Sequence, residues 1–231
     1  MTLSVPALLI ASALTTVAIA QDVNTIGPDD SFQVRYASNL NKGDSFVNIT
    51  NTGSASEEIC AANTPGCGAG NICANVYVFD PAEEMLACCS CLLTPNALVS
   101  LSVQGDLISN TLSPETPTAV VIKLVASSPL GGGVGGGTSG TTCDPAHIEV
   151  ETFGASGSYL VPGMRAWGTT LHALAGAAAN YGLTESRFEN GGLSSAELGH
   201  LTSFCGFINS NGSGFGICKS CRAGGLGGSK Q

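Results

Sequence analysis

The sequence predicts a mainly β chain with a smaller helical part: an antiparallel β-sandwich followed by a disulfide-stapled, α-rich module. Three observations carry this. Short runs of β-branched and aromatic residues separated by turn signals fill residues 22–128. Helical spacing of apolar residues appears only in the last third. Ten cysteines accompany a modest aromatic content of eight Phe, four Tyr and one Trp, so covalent staples are expected to supplement packing.

The first element is a signal peptide, residues 1–20. From Leu3 to Ala20 the chain is uncharged and rich in Leu, Ile, Val and Ala, and Ala18-Ile19-Ala20 offers the small residues a signal peptidase accepts. Pro6 and scattered Ser and Thr shorten the apolar core below membrane-spanning size. Met1-Thr2-Leu3 lacks the usual basic residue, as it would if translation began upstream. A secreted, extracellular or periplasmic product is expected, with no membrane attachment after cleavage.

Strand signals follow in order. Phe32, Val34 and Tyr36 alternate with polar neighbours; Phe46 to Thr50 runs into the turn Asn51-Thr52-Gly53; Ile72 to Phe79 ends at Asp80-Pro81. Met85 to Leu93 is strand-like, Val99, Leu101 and Val103 alternate with Ser100 and Ser102, and Thr118 to Val125 is almost wholly apolar. Several short strands within 22–128 imply two packed antiparallel sheets.

The order Phe-Val-Asn-Ile-Thr-Asn-Thr-Gly-Ser (46–54), Val-Tyr-Val-Phe-Asp-Pro (76–81) and Leu-Thr-Pro-Asn-Ala-Leu-Val-Ser-Leu-Ser-Val (93–103) resembles the bacterial immunoglobulin-like domains of cell-surface and secreted proteins. The resemblance covers some 80 residues and rests on turn chemistry. It implies an immunoglobulin-like sandwich and no activity. The stretch Cys60 to Cys73 and the Cys88-Cys89-Ser90-Cys91 cluster depart from it.

Residues 129–142, with two Gly-Gly-Gly runs, read as a flexible linker. Charge divides there: Asp22 to Ser128 holds eleven acidic and three basic residues, and Cys143 to Gln231 six and five. The second module, 143–231, is expected to be helical. Met164, Trp167, Leu171, Leu174 and Ala178 fall at helical spacing after Pro162-Gly163, with Asn180 or Gly182 as the stop. A second helix starts at Ser194, where Ser194 and Glu197 form a capping box, Leu193 and Leu198 a hydrophobic staple, and Leu198, Leu201, Cys205 and Ile208 one face. The run 209–214 ends it. The closing Asn-Gly-Ser-Gly-Phe-Gly-Ile-Cys stretch resembles that of uncharacterised, cysteine-rich exported bacterial proteins, which implies no activity either.

All ten cysteines, Cys60, Cys67, Cys73, Cys88, Cys89, Cys91, Cys143, Cys205, Cys218 and Cys221, follow the cleavage site and read as disulfides. Six precede the linker and four follow it, so each module is expected to close its own bridges, with Cys205 joined to Cys218 or Cys221 and the other meeting Cys143. Neighbouring strand side chains point to opposite faces, so Cys88 and Cys89 are expected to take different partners rather than each other. Cys88-x-x-Cys91 and Cys218-x-x-Cys221 also have the spacing of a redox pair or half a zinc site.

No residue set reaches the specificity of a catalytic, cofactor or metal motif. His147 sits near Asp144 and Glu149 just after the linker, without a second His at ligand spacing; His172 and His200 fall on expected helices. Gly154-Ala155-Ser156-Gly157 and Gly212-Ser213-Gly214 miss the nucleophile-elbow pattern. Asp29-Asp30, Glu57-Glu58 and Glu83-Glu84 lack the calcium-loop register and read as solvated turns. One Trp and four Tyr offer little for sugar platforms. Asn48-Ile49-Thr50 and Asn211-Gly212-Ser213 match the glycosylation sequon. A net charge of −9 argues against nucleic acid or anionic membranes as partners.

The expected function is a non-enzymatic structural, adhesion or assembly protein of the cell surface or medium, with a protein or surface partner or self-association and no cofactor. The alternatives are an envelope enzyme or thiol-disulfide protein using a Cys-x-x-Cys pair, and a filament or coat subunit built by strand addition.

Overall fold

The computed structural model describes residues 25–55, 70–130, 140–149, 158–175 and 180–219. The expected signal peptide, Glu57, Glu58, Cys60, Cys67, Gly154 to Gly157, the glycines of 131–139 and Cys221 lie outside these residues. The architecture is mainly β and antiparallel. Strands β1 (Phe32–Ala37), β2 (Phe46–Asn51), β3 (Ile72–Phe79), β4 (Met85–Leu93), β5 (Leu98–Ser102) and β6 (Val120–Ser127) come first. Two short strands β7 (Ile148–Glu149) and β8 (Ser158–Tyr159) follow, then β9 (Met164–Ala173), β10 (Tyr181–Arg187), β11 (Glu189–Asn190) and helix α1 (Ser195–Ser210).

Two main sheets result, a five-stranded one in the order β11-β1-β6-β3-β4 and a four-stranded one in the order β10-β9-β2-β5. One core joins them: Val47 and Ile49 of β2, Leu101 of β5 and Met164 and Ala166 of β9 pack with Val76 of β3, Leu93 of β4 and Leu124 of β6. The far face of the five-stranded sheet carries α1, whose Leu198, Leu201, Cys205 and Ile208 pack on Phe32, Tyr77, Cys88 and Val125. Every residue of β3 and β4 is consequently buried. Covered on both faces, these strands read as apolar runs interrupted only by Asn75 and Ser90 instead of alternating ones.

Turn chemistry sets the strand ends. Asn51 Nδ2 donates to the carbonyls of Gly70 (2.7 Å) and Leu93 (2.9 Å), tying the end of β2 to the opposite sheet, while its Oδ1 accepts from Gly53 N. Gly53 has a positive φ of 84°, which glycine adopts without a Cβ clash. Asp80 Oδ1 accepts from the backbone N–H groups of Ala82 and Glu84, each at 2.9 Å, and closes the β3–β4 turn. Pro95-Asn96 makes the turn before β5, with Asn96 left-handed and Ala97 N donating to Thr94 O.

The segment after the glycines departs from expectation. Residues 164–173 form strand β9, paired with β2 from Val47↔Gly168 to Asn51↔Met164, and not a helix. Met164, Ala166 and Gly168 point alternately into the core, a period of two that outweighs the helical spacing of Met164, Trp167 and Leu171. β11 adds to β1 in the other sheet. Both sheets therefore draw strands from either side of 129–142. The glycine stretch has its ends held together, Leu130 N donating to Thr142 O at 2.8 Å, and it does not separate two packing units.

Helix α1 matches expectation closely. Ser194 is its N-cap, with Oγ accepting from Glu197 N at 3.1 Å, and the four apolar residues expected on one face are its buried ones. Only one limb of the capping box forms, because Glu197 Oε1 instead pairs with Lys123 Nζ of β6 at 2.6 Å.

Three disulfides tie these layers: Cys73–Cys143, Cys88–Cys205 and Cys89–Cys218. Cys91 is also disulfide-bonded, and no described cysteine is free. Cys88 and Cys89 take different partners because β4 turns them to opposite faces, Cys88 toward α1 and Cys89 into the core between the sheets. The expected pairing within halves is overturned: each of the three bridges joins a cysteine before residue 129 to one after 142. Cys205 lies on the buried face of α1, which meets β4, so its nearest sulfur in space belongs to the central sheet and not to Cys218.

Candidate binding groove at the seam between the sheets

Residues on β9 and β10 that face the opposite sheet change character along the hairpin. Gly168 lies over the core, but Thr170 and His172 of β9 and Thr184 and Ser186 of β10 extend past the covering strand β1, where no apolar partner awaits them. An inward face that overhangs its partner sheet must be polar, because it is wetted. The result is an open groove of about 610 Å³ at the margin between β1 and the β9–β10 hairpin, lined by Val34, Tyr36, Val121 and Glu189 of the five-stranded sheet and by these hydroxyls, His172 and Arg187 of the hairpin.

Arg35 crosses the base of this groove. Its Nη1 donates to Ser186 O (2.9 Å) and Oγ (2.5 Å) and to Arg187 O (3.4 Å), and its Nη2 to Thr170 Oγ1 (2.8 Å). The guanidinium thereby caps carbonyls at one end of β10, an edge strand of the four-stranded sheet. A Cβ at residue 168 would stand 2.7 Å from both Cδ and Nε of Arg35, so only glycine lets the side chain through. Arg35 Nε is buried there without a hydrogen-bond partner. Partial burial lowers the pKa of the guanidinium from its ordinary value, against the opposing pull of Tyr36 and Glu185. Thr170 Oγ1 in turn donates to Tyr36 O at 3.3 Å, completing the lacing of the two walls.

Tyr36, the strand neighbour of Arg35, turns to the opposite face of β1 and is 63% exposed. On the outer face of the same hairpin, Arg187 stands over the ring of Trp167 with its Cζ 6.0 Å from the centroid. His172 is on strand β9, not on a helix, with Nδ1 3.3 Å from Thr184 Oγ1. Of the groove residues only His172 was singled out by sequence. The missed signal was the stretch Thr184-Glu185-Ser186-Arg187, a strand polar on both faces beside the apolar-poor inward positions of β9.

The other sequence candidates separate. His147 Nδ1 lies 2.6 Å from Asp144 Oδ2, whose second oxygen accepts from Ala146 N, so the pair braces a turn before β7; Glu149 follows on β7. Among the described residues no three His, Cys, Asp or Glu side chains gather to hold a metal ion. His200 is on α1 and meets Phe204 edge to face at 4.5 Å. Asp30 pairs with Arg165 Nη1 and accepts from Gly163 N. Gly212-Ser213-Gly214 is the turn after α1, where Asn211 Oδ1 accepts from Ser213 N. Neither Cys-x-x-Cys closes on itself, since Cys88 is bonded to Cys205 and Cys218 to Cys89. Of the sequon residues, Asn48 lies on β2, donating to Glu185 Oε1 at 3.3 Å, and Asn211 at the end of α1.

Among the described residues no helix is long and apolar enough to cross a membrane. No family model, curated protein or solved structure matches the chain.

Proposed function

We propose that the chain is an exported, non-enzymatic structural, adhesion or assembly protein of the cell surface or medium, built on an immunoglobulin-like sandwich. The observation that carries the reading is the covalent plan: three bridges run from β3 and β4, the last two strands of the five-stranded sheet, to three later segments. Such bridges persist only in an oxidising compartment, and they suit a body that must hold its shape outside the cell. The exposed side of α1 supports a contact role. Phe204 and Phe207 lie on it at 46% and 64% exposure, and Phe215 in the following turn is 53% exposed. Large aromatic rings left in water are an interaction signature.

Filament building by strand addition is the second reading. Of the sheet-end strands β4, β5, β10 and β11, β4 is covered by Gly216–Ile217, where Cys88 N donates to Gly216 O at 2.9 Å, and Arg35 reaches Arg187 O at 3.4 Å at one end of β10. The test is to fractionate producing cells and follow the native protein. Recovery in the envelope or medium, with Phe204→Ser plus Phe207→Ser weakening its attachment or self-association, supports the proposal. Turnover of a polysaccharide, ester or peptide substrate that one point mutation abolishes would overturn it.

A further inference from the structure

We infer that the exposed face of α1 pairs with the same face of a second copy of this chain, in a two-fold dimer centred on Ser203. This deepens the assembly reading and rests on it, by naming the partner.

Charge is the first observation that selects the occupant. Residues 198–218 contain no Asp, Glu, Lys or Arg, in a chain whose net charge is −9. Glu197, at the start of the helix, is paired with Lys123 at 2.6 Å. Copies of so acidic a chain repel one another where their carboxylates meet, and the exposed face of α1 lets them approach without that cost. A charged partner finds nothing there to pair with. A lipid surface is also disfavoured, since α1 carries no Lys or Arg to flank an inserted apolar face.

Shape is the second. Gly199, Ser203 and Phe207 are all exposed and, spaced by four, form one ridge of the helix. Phe207 is a knob on that ridge, and Gly199 is a notch, where a Cβ would meet nothing within 4 Å. Knob and notch stand about 6 Å to either side of Ser203 along the helix axis. A two-fold axis through Ser203 therefore sets two copies of α1 antiparallel and seats each Phe207 in the other's notch, which is the self-complementary arrangement of a closed dimer. His200 and Phe204, packed edge to face at 4.5 Å, flank the ridge, and Phe215 lies in the turn beyond it. The opposite face is pinned by Leu198, Leu201, Ile208 and the Cys88–Cys205 bridge, so the helix is presented already ordered. One helix, about 24 Å long, gives a small interface, and a dissociation constant of about micromolar is expected.

The test is sedimentation velocity and light scattering of the full, oxidised, processed protein over a dilution series. Twice the monomer mass at high concentration, falling to the monomer on dilution, is expected. Phe207→Ser should weaken the dimer about tenfold or more, and Ser203→Glu, which sets two carboxylates against each other at the axis, should abolish it. Gly199→Phe should weaken it too, by filling the notch. Gly199→Phe combined with Phe207→Ala exchanges knob and notch and should restore the dimer, which a merely sticky patch would not do. The three positions face solvent, so near-ultraviolet circular dichroism of the monomers should not change. A monomer at every concentration, a dimer that survives Ser203→Glu, or an exchange variant that stays monomeric would overturn the inference. So would a monomer that binds phosphatidylcholine vesicles through Phe207. A monomer that still attaches to the cell surface removes the dimer and leaves the proposed function standing. A dimer that turns over a substrate removes the non-enzymatic reading and leaves the dimer standing.

Discussion

Because Cys88 and Cys89 are adjacent, their two disulfides share one ring, and their contributions to stability should be coupled. Alone, either bridge closes a long loop, with separations of 117 and 129 residues. Chain-entropy arithmetic gives about 5 kcal/mol for loops of that length. Once one bridge is closed, the other closes only the path from Cys205 to Cys218 and back through the Cys88–Cys89 peptide, roughly 14 residues, for about 3 kcal/mol. Removing either pair, Cys88→Ala with Cys205→Ala or Cys89→Ala with Cys218→Ala, should thus cost about 3 kcal/mol, and removing both about 8 kcal/mol. Urea titration followed by Trp167 emission under non-reducing conditions measures this, provided the slope stays constant among variants. Strict additivity, with the quadruple variant losing only the sum of the two pairs, would refute the shared-ring argument.

Three further outcomes are expected. Ser194→Ala removes the N-cap bond to Glu197 N and should lower stability by about 1 kcal/mol in the same titration, while Ser194→Asp should not. Gly168→Ala drives Arg35 off Ser186 and Thr170, costing about 1–3 kcal/mol, and Arg35→Ala in the same chain should recover part of the loss in a double-mutant cycle. Tyr77 is wholly buried and donates to Pro145 O at 2.7 Å; burial, with Asp144 adding to it, pushes its phenol well above the ordinary tyrosine range. The folded state therefore favours the protonated phenol. Its contribution is complete below the unfolded value near 10 and falls as pH rises beyond it, by up to about 1.4 kcal/mol per unit. Tyr77→Phe should lower stability at pH 7 by about 1–2 kcal/mol and flatten the alkaline decline attributable to this phenol, as read from melts between pH 8 and 11.

Local chemistry was legible where one physical rule acted alone. Strand β3 begins and ends where its β-branched run and Asp80-Pro81 place it, and α1 begins at its capping serine. The opposite facing of Cys88 and Cys89 also followed from strand geometry. Long-range pairing was not legible. Met164, Trp167 and Leu171 satisfy a helical period by coincidence, while what makes β9 a strand is β2 beside it, 119 residues earlier at the Asn48↔Trp167 pair. The glycine run has the composition of a linker, yet composition reports backbone freedom and not whether its two ends meet. Cysteine counting failed for the same reason: an even number on each side of 129–142 permits closure within halves, but sheet order puts β4 against α1 and the 216–218 segment. The groove was invisible because it arises from strands of unequal reach in opposite sheets, a property of assembly that no single stretch encodes.

The fork at Cys88 and Cys89 also dictates when the molecule can mature. During vectorial synthesis these two thiols emerge more than a hundred residues before Cys205 and Cys218. An oxidase that joins cysteines in order of arrival would couple them to nearer sulfurs first and leave the chain wrongly tied. Correct maturation therefore waits for the carboxyl-terminal segment and calls for a catalyst that reshuffles bridges, so the yield of native protein should track isomerase activity in the compartment that receives it.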